Sequence, residues 1–425
     1  MSSPALPAQS PLAYRDYRLF WIARFAGVIG TVAMIVILAW QVYDIARTDY
    51  GLTTEQAAPM MLWIGLAQFI PVLLLTPVAG WAADRFEWRT VARLANSVDM
   101  LVALSLALCT TYGQLSLPLL FSFAGLHGVA RVFVGPAMSS IAPNIVPATV
   151  LPRAIAMSSI AWQSASVIGP AIAGFIYAAT PSAPYWMATT LLALASVAIS
   201  FIKPVHPPKK LVHAHPVREM IDGLVYIKKE RFLLGAITLD LFAVLLGGAT
   251  AMLPVYARDI LHVGTQGLGW LRAAPGAGAA VVALLFAFRP LARNVGVKML
   301  WAVVVFGAAT IGFGLSKNLL FSMSMLALLG AADMLSVYVR GSLVQLNTPD
   351  AMRGRVNSVS GLAISASNEL GEVQSGLAAA LLHSPIAAVV FGGVGAIFVT
   401  GLWAWLFPEL RNARTFEPHT KDAPK

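Results

Sequence analysis

The sequence predicts an all-α membrane protein of twelve transmembrane helices in two pseudo-symmetric six-helix bundles. Three observations predict it. Of the 425 residues, 58% are hydrophobic and only 11% are charged, whereas a soluble domain carries roughly 25% charge; a bilayer must solvate so apolar a chain. Runs of about 20 apolar residues recur along it, each long enough as a helix to cross ~30 Å of hydrocarbon. Finally, residues 128–178 align without a gap on residues 330–380, 202 positions later, with ten of 51 pairs identical. Among them are Gly128/Gly330, Pro147/Pro349, Arg153/Arg355, Gly169/Gly371 and Gly174/Gly376. Each copy reads as a hydrophobic helix, a Pro/Arg turn and a Gly-spaced helix. Two repeated membrane halves are a signature of secondary transporters.

The expected spans run over about 18–45, 58–80, 91–111, 117–141, 154–179 and 184–202, then 232–256, 266–288, 297–316, 319–345, 357–382 and 386–407. The polar segment 203–231 divides them six and six, so the expected domains are an N-terminal bundle (1–202), a cytoplasmic linker (203–231) and a C-terminal bundle with its tail (232–425). With the N-terminus inside, outer segments hold only Arg47, Arg258 and Lys317, while most of the 29 lysines and arginines fall in inner segments. This positive-inside bias predicts that both termini are cytoplasmic. The back of the linker has an apolar stripe (Val217, Met220, Ile221, Leu224, Tyr226, Ile227) suited to a helix on the inner membrane surface. Its front holds His206, His213 and His215, read as a solvated loop because no fourth metal ligand accompanies them. The net charge of +10 is spread between hydrophobic runs, which argues against a nucleic-acid partner. The single cysteine, Cys109, excludes an internal disulfide. No metal or cofactor site is expected, and no P-loop, HExxH or GxSxG pattern points to an enzyme.

Polar residues inside spans are costly and therefore informative. In order, span one carries Arg24, and span three carries Asp99. Span four carries His127 and Arg131 on one face. Span five carries Gly169-Pro170-Ala171-Ile172-Ala173-Gly174, small residues that let helices pack closely. Asp240 lies in span seven and Arg272 toward the outer end of span eight, as an outer gate or a snorkelling cation. Asp333 and Arg340 lie in span ten; Glu369 and Glu372, one turn apart, lie in span eleven. Asp99, Asp240 and Arg24 are expected nearer the inner end, either as interhelical partners or with a transport role. Asp333 and Arg340, seven residues apart, lie about 10 Å apart along the axis and are not expected to bond. Under the 202 offset Arg131 maps onto Asp333 and Pro170 onto Glu372. The second half is thus acidic where the first is basic or apolar. Trp40, Trp162, Met252 and Trp270 are candidates for packing, lipid contact or an apolar pocket.

Between spans two and three, Gly80-Trp-Ala-Ala-Asp84-Arg85-Phe-Glu87-Trp88-Arg89 resembles the Gly-x-x-x-Asp-Arg-x-Gly-Arg-Arg/Lys loop of the major facilitator superfamily. Gly80, Asp84, Arg85 and Arg89 match; Glu87 replaces a glycine and Trp88 a basic residue. Arg131-Val-Phe-Val-Gly135 resembles a motif there implicated in proton coupling, and Gly169-Pro170 with Gly174 resembles a motif of its export-direction members. Thr348-Pro349-Asp350-Ala-Met-Arg353-Gly-Arg355-Val and Tyr14-Arg-Asp-Tyr-Arg-Leu-Phe-Trp21 resemble the branch containing macrolide efflux and enterobactin export proteins.

The resemblance implies a proton-coupled, alternating-access exporter in the bacterial inner membrane, an antiporter effluxing a siderophore, a drug or another small amphiphile. An importer or uniporter of a siderophore on the same fold is the alternative. It implies proton coupling through Asp333, Glu369, Glu372 and Arg131, and an inner latch built on Asp84 and the loop arginines. A substrate cavity would involve Arg24, His127, Trp162, Asp240 and Arg340. The expected partners are the substrate, protons and lipid, with the chain acting as a monomer.

Overall fold

The computed structural model describes residues 10–147, 150–204, 216–288, 291 and 293–415. Among the described residues the regular structure is wholly helical. The first long helices are α1 (Arg15–Thr48), α2 (Met60–Arg85), α3 (Trp88–Thr111), α4 (Leu117–Ile141), α5 (Leu151–Ala179) and α6 (Ala183–Ser200). There follow α7 (Pro216–Lys229), α8 (Arg231–Leu246), α9 (Gly264–Phe288) and α10 (Val295–Gly314). The last are α11 (Leu319–Leu346), α12 (Asp350–Leu381) and α13 (Pro385–Leu406). Eleven helices among the described residues are long and apolar enough to cross a membrane. The expected span eleven is a helix of 32 residues, α12, but Asn368, Glu369, Glu372 and Gln374 interrupt its apolar run. That polarity sets it apart from the other eleven.

The chain forms two compact units, Met1–Ile45 with Ala67–His213 and Ala46–Leu66 with Ala214–Lys425. The connection between α1 and α2 therefore belongs with the second unit, a division that hydropathy along the chain does not reveal. Exposed apolar side chains such as Leu74, Val281, Leu320, Phe398 and Trp405 are what a lipid-solvated surface requires. Hydroxyls within spans bond their own helix: Ser105, Ser122 and Thr310 each donate to the carbonyl four residues earlier. This satisfies groups that no water reaches in hydrocarbon.

In the first unit, Tyr17, Phe20, Trp88, Met138, Ile141 and Ile199 pack around small residues, Ala92, Ala154 and Ala195. Tyr17 Oη donates to the Ala154 carbonyl at 2.5 Å and Trp21 Nε1 to that of Met157 at 3.1 Å, fixing α1 to α5. In the second, Phe232, Leu233, Ile237, Met299, Val303, Val339 and Leu343 form the core. Helix α7 joins this core through Ile227, with Met220 and Tyr226 packed beside it. A Cβ on its Gly223 would lie 2.8 Å from the Arg355 carbonyl oxygen, so α7 runs against the start of α12. Only part of the apolar stripe is covered by protein; Ile221 and Leu224 stay exposed. Residues 205–215, with the three linker histidines, lie outside the described residues.

The repeat governs both units internally. Helices α4 and α11 begin at Leu117 and Leu319, and α5 and α12 end at Ala179 and Leu381, both pairs at the 202 offset. A Cβ on Gly128 would lie 2.7 Å from the Gln68 carbonyl oxygen of α2, and one on Gly330 would collide with the Pro275 carbonyl of α9. A Cβ on Gly169 would lie 3.1 Å from the Ile29 carbonyl oxygen of α1, and one on Gly371 3.0 Å from that of Val244 in α8. Gly128/Gly330 and Gly169/Gly371 thus mark the same two helix crossings in each unit.

Candidate functional site

Each unit holds a polar centre within its spans. In the first, Asp99 and His127 are almost wholly buried. Nδ1 of His127 lies 2.6 Å from Asp99 Oδ1, and Thr31 Oγ1 donates to Asp99 Oδ2 at 3.1 Å. These three residues come from α4, α3 and α1. Asp99 stands at the midpoint of the 24-residue α3. One turn after His127, Arg131 donates to Gln68 Oε1 of α2 at 3.3 Å. The Gly128 crossing brings α2 and α4 close enough for this contact. Arg24 is partly buried on α1, and its Nε has no hydrogen-bond partner among the described residues. Trp162 on α5 is about half exposed, at 47%.

The second unit concentrates the acids. Asp240 of α8 and Arg340 of α11 form a buried ion pair. Asp333, two turns before Arg340 on α11, lines a cavity of about 10 Å³ together with Asp240, Ala243, Val303, Phe306 and Ser336. That is room for about one water molecule. Asp333 makes no ion pair with a described residue, and Ser336 Oγ is buried without a hydrogen-bond partner among the described residues. Of the two carboxylates that line this cavity, Asp240 is paired with Arg340, and Asp333 has no ion pair among the described residues. On α12, Glu369 is buried, while Glu372 lies within electrostatic reach of Arg272 on α9.

Two further clusters lie at helix ends. At the end of α1, Arg47 Nε pairs with Asp259 Oδ2 at 3.2 Å, and Thr54 Oγ1 donates to the same oxygen at 2.8 Å. Sequence reasoning missed Asp259, which sits in a π-helical turn, Tyr256–Ile260; the signal that could have found it was Arg47, one of few cations in its class of segment. After α2, Arg89 pairs with Glu87 at 2.9 Å and donates to the Ile202 carbonyl at 2.7 Å. Glu87 precedes α3 with φ of −61°, a conformation that needs no glycine. The loop thus accommodates its departure from the superfamily pattern and gains a partner for Arg89. The backbone at Gly80 and Asp84 is helical, and the Asp84 side chain lies outside what the structure describes. An apolar groove of about 390 Å³ lies between α2, α3 and α4, lined by Ala82, Phe86, Val91, Leu94, Val98 and Phe133 among others.

The model of the transmembrane secretion effector family matches residues 7–419. The chain belongs to this family, an exporter-like branch of the major facilitator superfamily. It is accordingly a multi-pass membrane transporter and not an enzyme. It is 27% identical over 422 residues to the enterobactin exporter EntS of Citrobacter koseri, covering 96% of this chain and 95% of that one. To EntS of Escherichia coli O127:H6 it is 26% identical over 416 residues, with 95% and 94% covered. Among solved structures it resembles a POT peptide transporter (TM-score 0.72, 13% identity, 95% of this chain and 96% of that one). It also resembles a D-xylose–proton symporter (TM-score 0.70, 13% identity, 93% and 98%). At such identities these structures establish the shared fold alone.

Proposed function

We propose that this transporter is a proton-coupled exporter that carries a small amphiphile, a siderophore or a drug, across the bacterial inner membrane by alternating access. The observation that carries the coupling is the charge count around the second unit's cavity. Arg340 compensates Asp240, and no second cation among the described residues pairs with Asp333. Neutralising Asp333 inside the bilayer takes a proton or a cationic substrate, since an isolated charge there is expensive. Glu369 and Glu372 on α12 extend the acidic face, with Arg272 opposing Glu372 and Arg131 matching Asp333 in the repeat. Each access state offers these acids a different aqueous side, so a proton loaded on one side leaves on the other. The membrane potential adds ~2.3 kcal/mol per charge per 100 mV.

Export and siderophore chemistry are supported by the similarity to EntS and by the Gly169-Pro170-Gly174 crossing. Asp84, Arg85 and Arg89 act as the inner latch that breaks when the halves rock. Both termini face the cytoplasm in this reading, which the Lys/Arg asymmetry supports.

Everted membrane vesicles test the direction, with enterobactin as the probe. Accumulation in energised everted vesicles, accompanied by proton loss from the lumen, is the expected result. Uptake confined to right-side-out vesicles would establish an importer instead.

A further inference from the structure

The first unit contains a buried polar group that the proposed mechanism does not use. Asp99 and His127 are 1% and 0% exposed and meet at 2.6 Å near the middle of their helices. Asp99 already accepts from Thr31 at 3.1 Å. With Asp99 ionised, its carboxylate only accepts, and Nδ1 of His127 then carries the hydrogen that faces it. In the neutral ring this leaves Nε2 as the atom without a hydrogen. That atom is buried and has no hydrogen-bond partner among the described residues.

No cation among the described residues touches the pair. Within the expected spans of the helices packed around it, the cations are Arg18 and Arg24 on α1, Arg93 on α3 and Arg131 on α4. Arg131 donates to Gln68 of α2. Helix α6 offers Tyr185, whose hydroxyl donates to Gln41 at 2.7 Å. With a neutral imidazole the site carries one net negative charge in the membrane interior. A proton on Nε2 turns it into an imidazolium–carboxylate pair of zero net charge, which a low-dielectric interior tolerates better than an uncompensated carboxylate.

We propose that the Asp99–His127 pair is a proton-binding site of the first unit, taking up and releasing one proton at His127 Nε2. The proton's retention depends on three helices at once, because Thr31, Asp99 and His127 lie on α1, α3 and α4. Movement of α1 that withdraws the Thr31 hydroxyl alters the carboxylate and hence the hold on the proton. The part this site plays in transport rests on the proton-coupled reading above; the binding of the proton does not.

Histidine ¹⁵N NMR of the full chain in nanodiscs tests the proposal, with His127→Gln to assign the resonance. One imidazole is expected to pass from the neutral Nδ1–H tautomer to imidazolium as the pH is lowered across the range in which the protein stays folded, and Asp99→Asn should displace that transition. If His127→Gln does not fold, the displacement in Asp99→Asn makes the assignment, and no displaced histidine signal overturns the proposal. A His127 signal fixed in one protonation state over the range also overturns it. In proteoliposomes loaded with enterobactin, Asp99→Asn should abolish the response of efflux to an imposed pH gradient. If His127 titrates but wild-type efflux ignores the gradient, proton-coupled transport fails while the proton site stands.

Discussion

Arg340 and Asp240 illustrate how a charge survives inside a membrane protein. Each desolvates at a cost that the other offsets, so removing one is far worse than removing both. Arg340→Ala should destabilise the protein by about 3–5 kcal/mol, and Arg340→Leu combined with Asp240→Leu should recover most of that. Thermal unfolding in detergent compares the two; equal losses would show that the pair does not act as a unit. Asp333, which makes no ion pair with a described residue, should behave differently. Asp333→Asn is expected to leave stability within about 1 kcal/mol of wild type while ending proton-driven flux. The sequence identified each of these residues as a costly polar group but not their partners. Arg340 lies 100 residues beyond Asp240, and only the packing of α11 on α8 joins them. Asp259 went unnoticed for the same reason: its partners Arg47 and Thr54 are distant in the chain and lie outside the apolar runs that direct attention.

At the level of helices, the repeat was the more informative feature. Its identical glycines Gly128, Gly330, Gly169 and Gly371 fall at crossings, where a side chain would strike a neighbouring backbone. Gly128→Ala should therefore destabilise by about 1–3 kcal/mol through overpacking. Gly135→Ala, on the same helix and with open space around it, should be neutral or stabilising. Equal effects in unfolding experiments would show that the crossing does not require a glycine. Hydropathy located helices well where the lipid-facing side is uniformly apolar, as in α10 and α13. It served less well for α12, whose polar residues dilute the signal. The apolar stripe of α7 was visible, whereas its burial of Ile227 against the second unit depends on tertiary packing that no local pattern encodes.

For the whole molecule, the two units share a frame and differ in chemistry. The first carries the Gly169-Pro170 crossing, the inner loop and a buried acid paired with histidine; the second holds Asp240, Asp333, Glu369 and Glu372, with Arg272 and Arg340 opposite them. In the proposed mechanism the shared frame rocks, and Asp333, which has no ion pair among the described residues, couples that motion to protons. Asp84→Asn should slow exchange between access states without abolishing substrate binding, which solvent accessibility of single cysteines at the two ends would report; unchanged exchange would rule out the latch. The most direct test of proton coupling is paired measurement of substrate and proton flux in proteoliposomes, with enterobactin as substrate. Wild-type protein is expected to move enterobactin against its gradient when a pH gradient is imposed, with opposite proton flux, and Asp333→Asn to lose both while still binding the substrate. Undiminished coupled flux in Asp333→Asn, or wild-type transport with no proton movement, would contradict that mechanism.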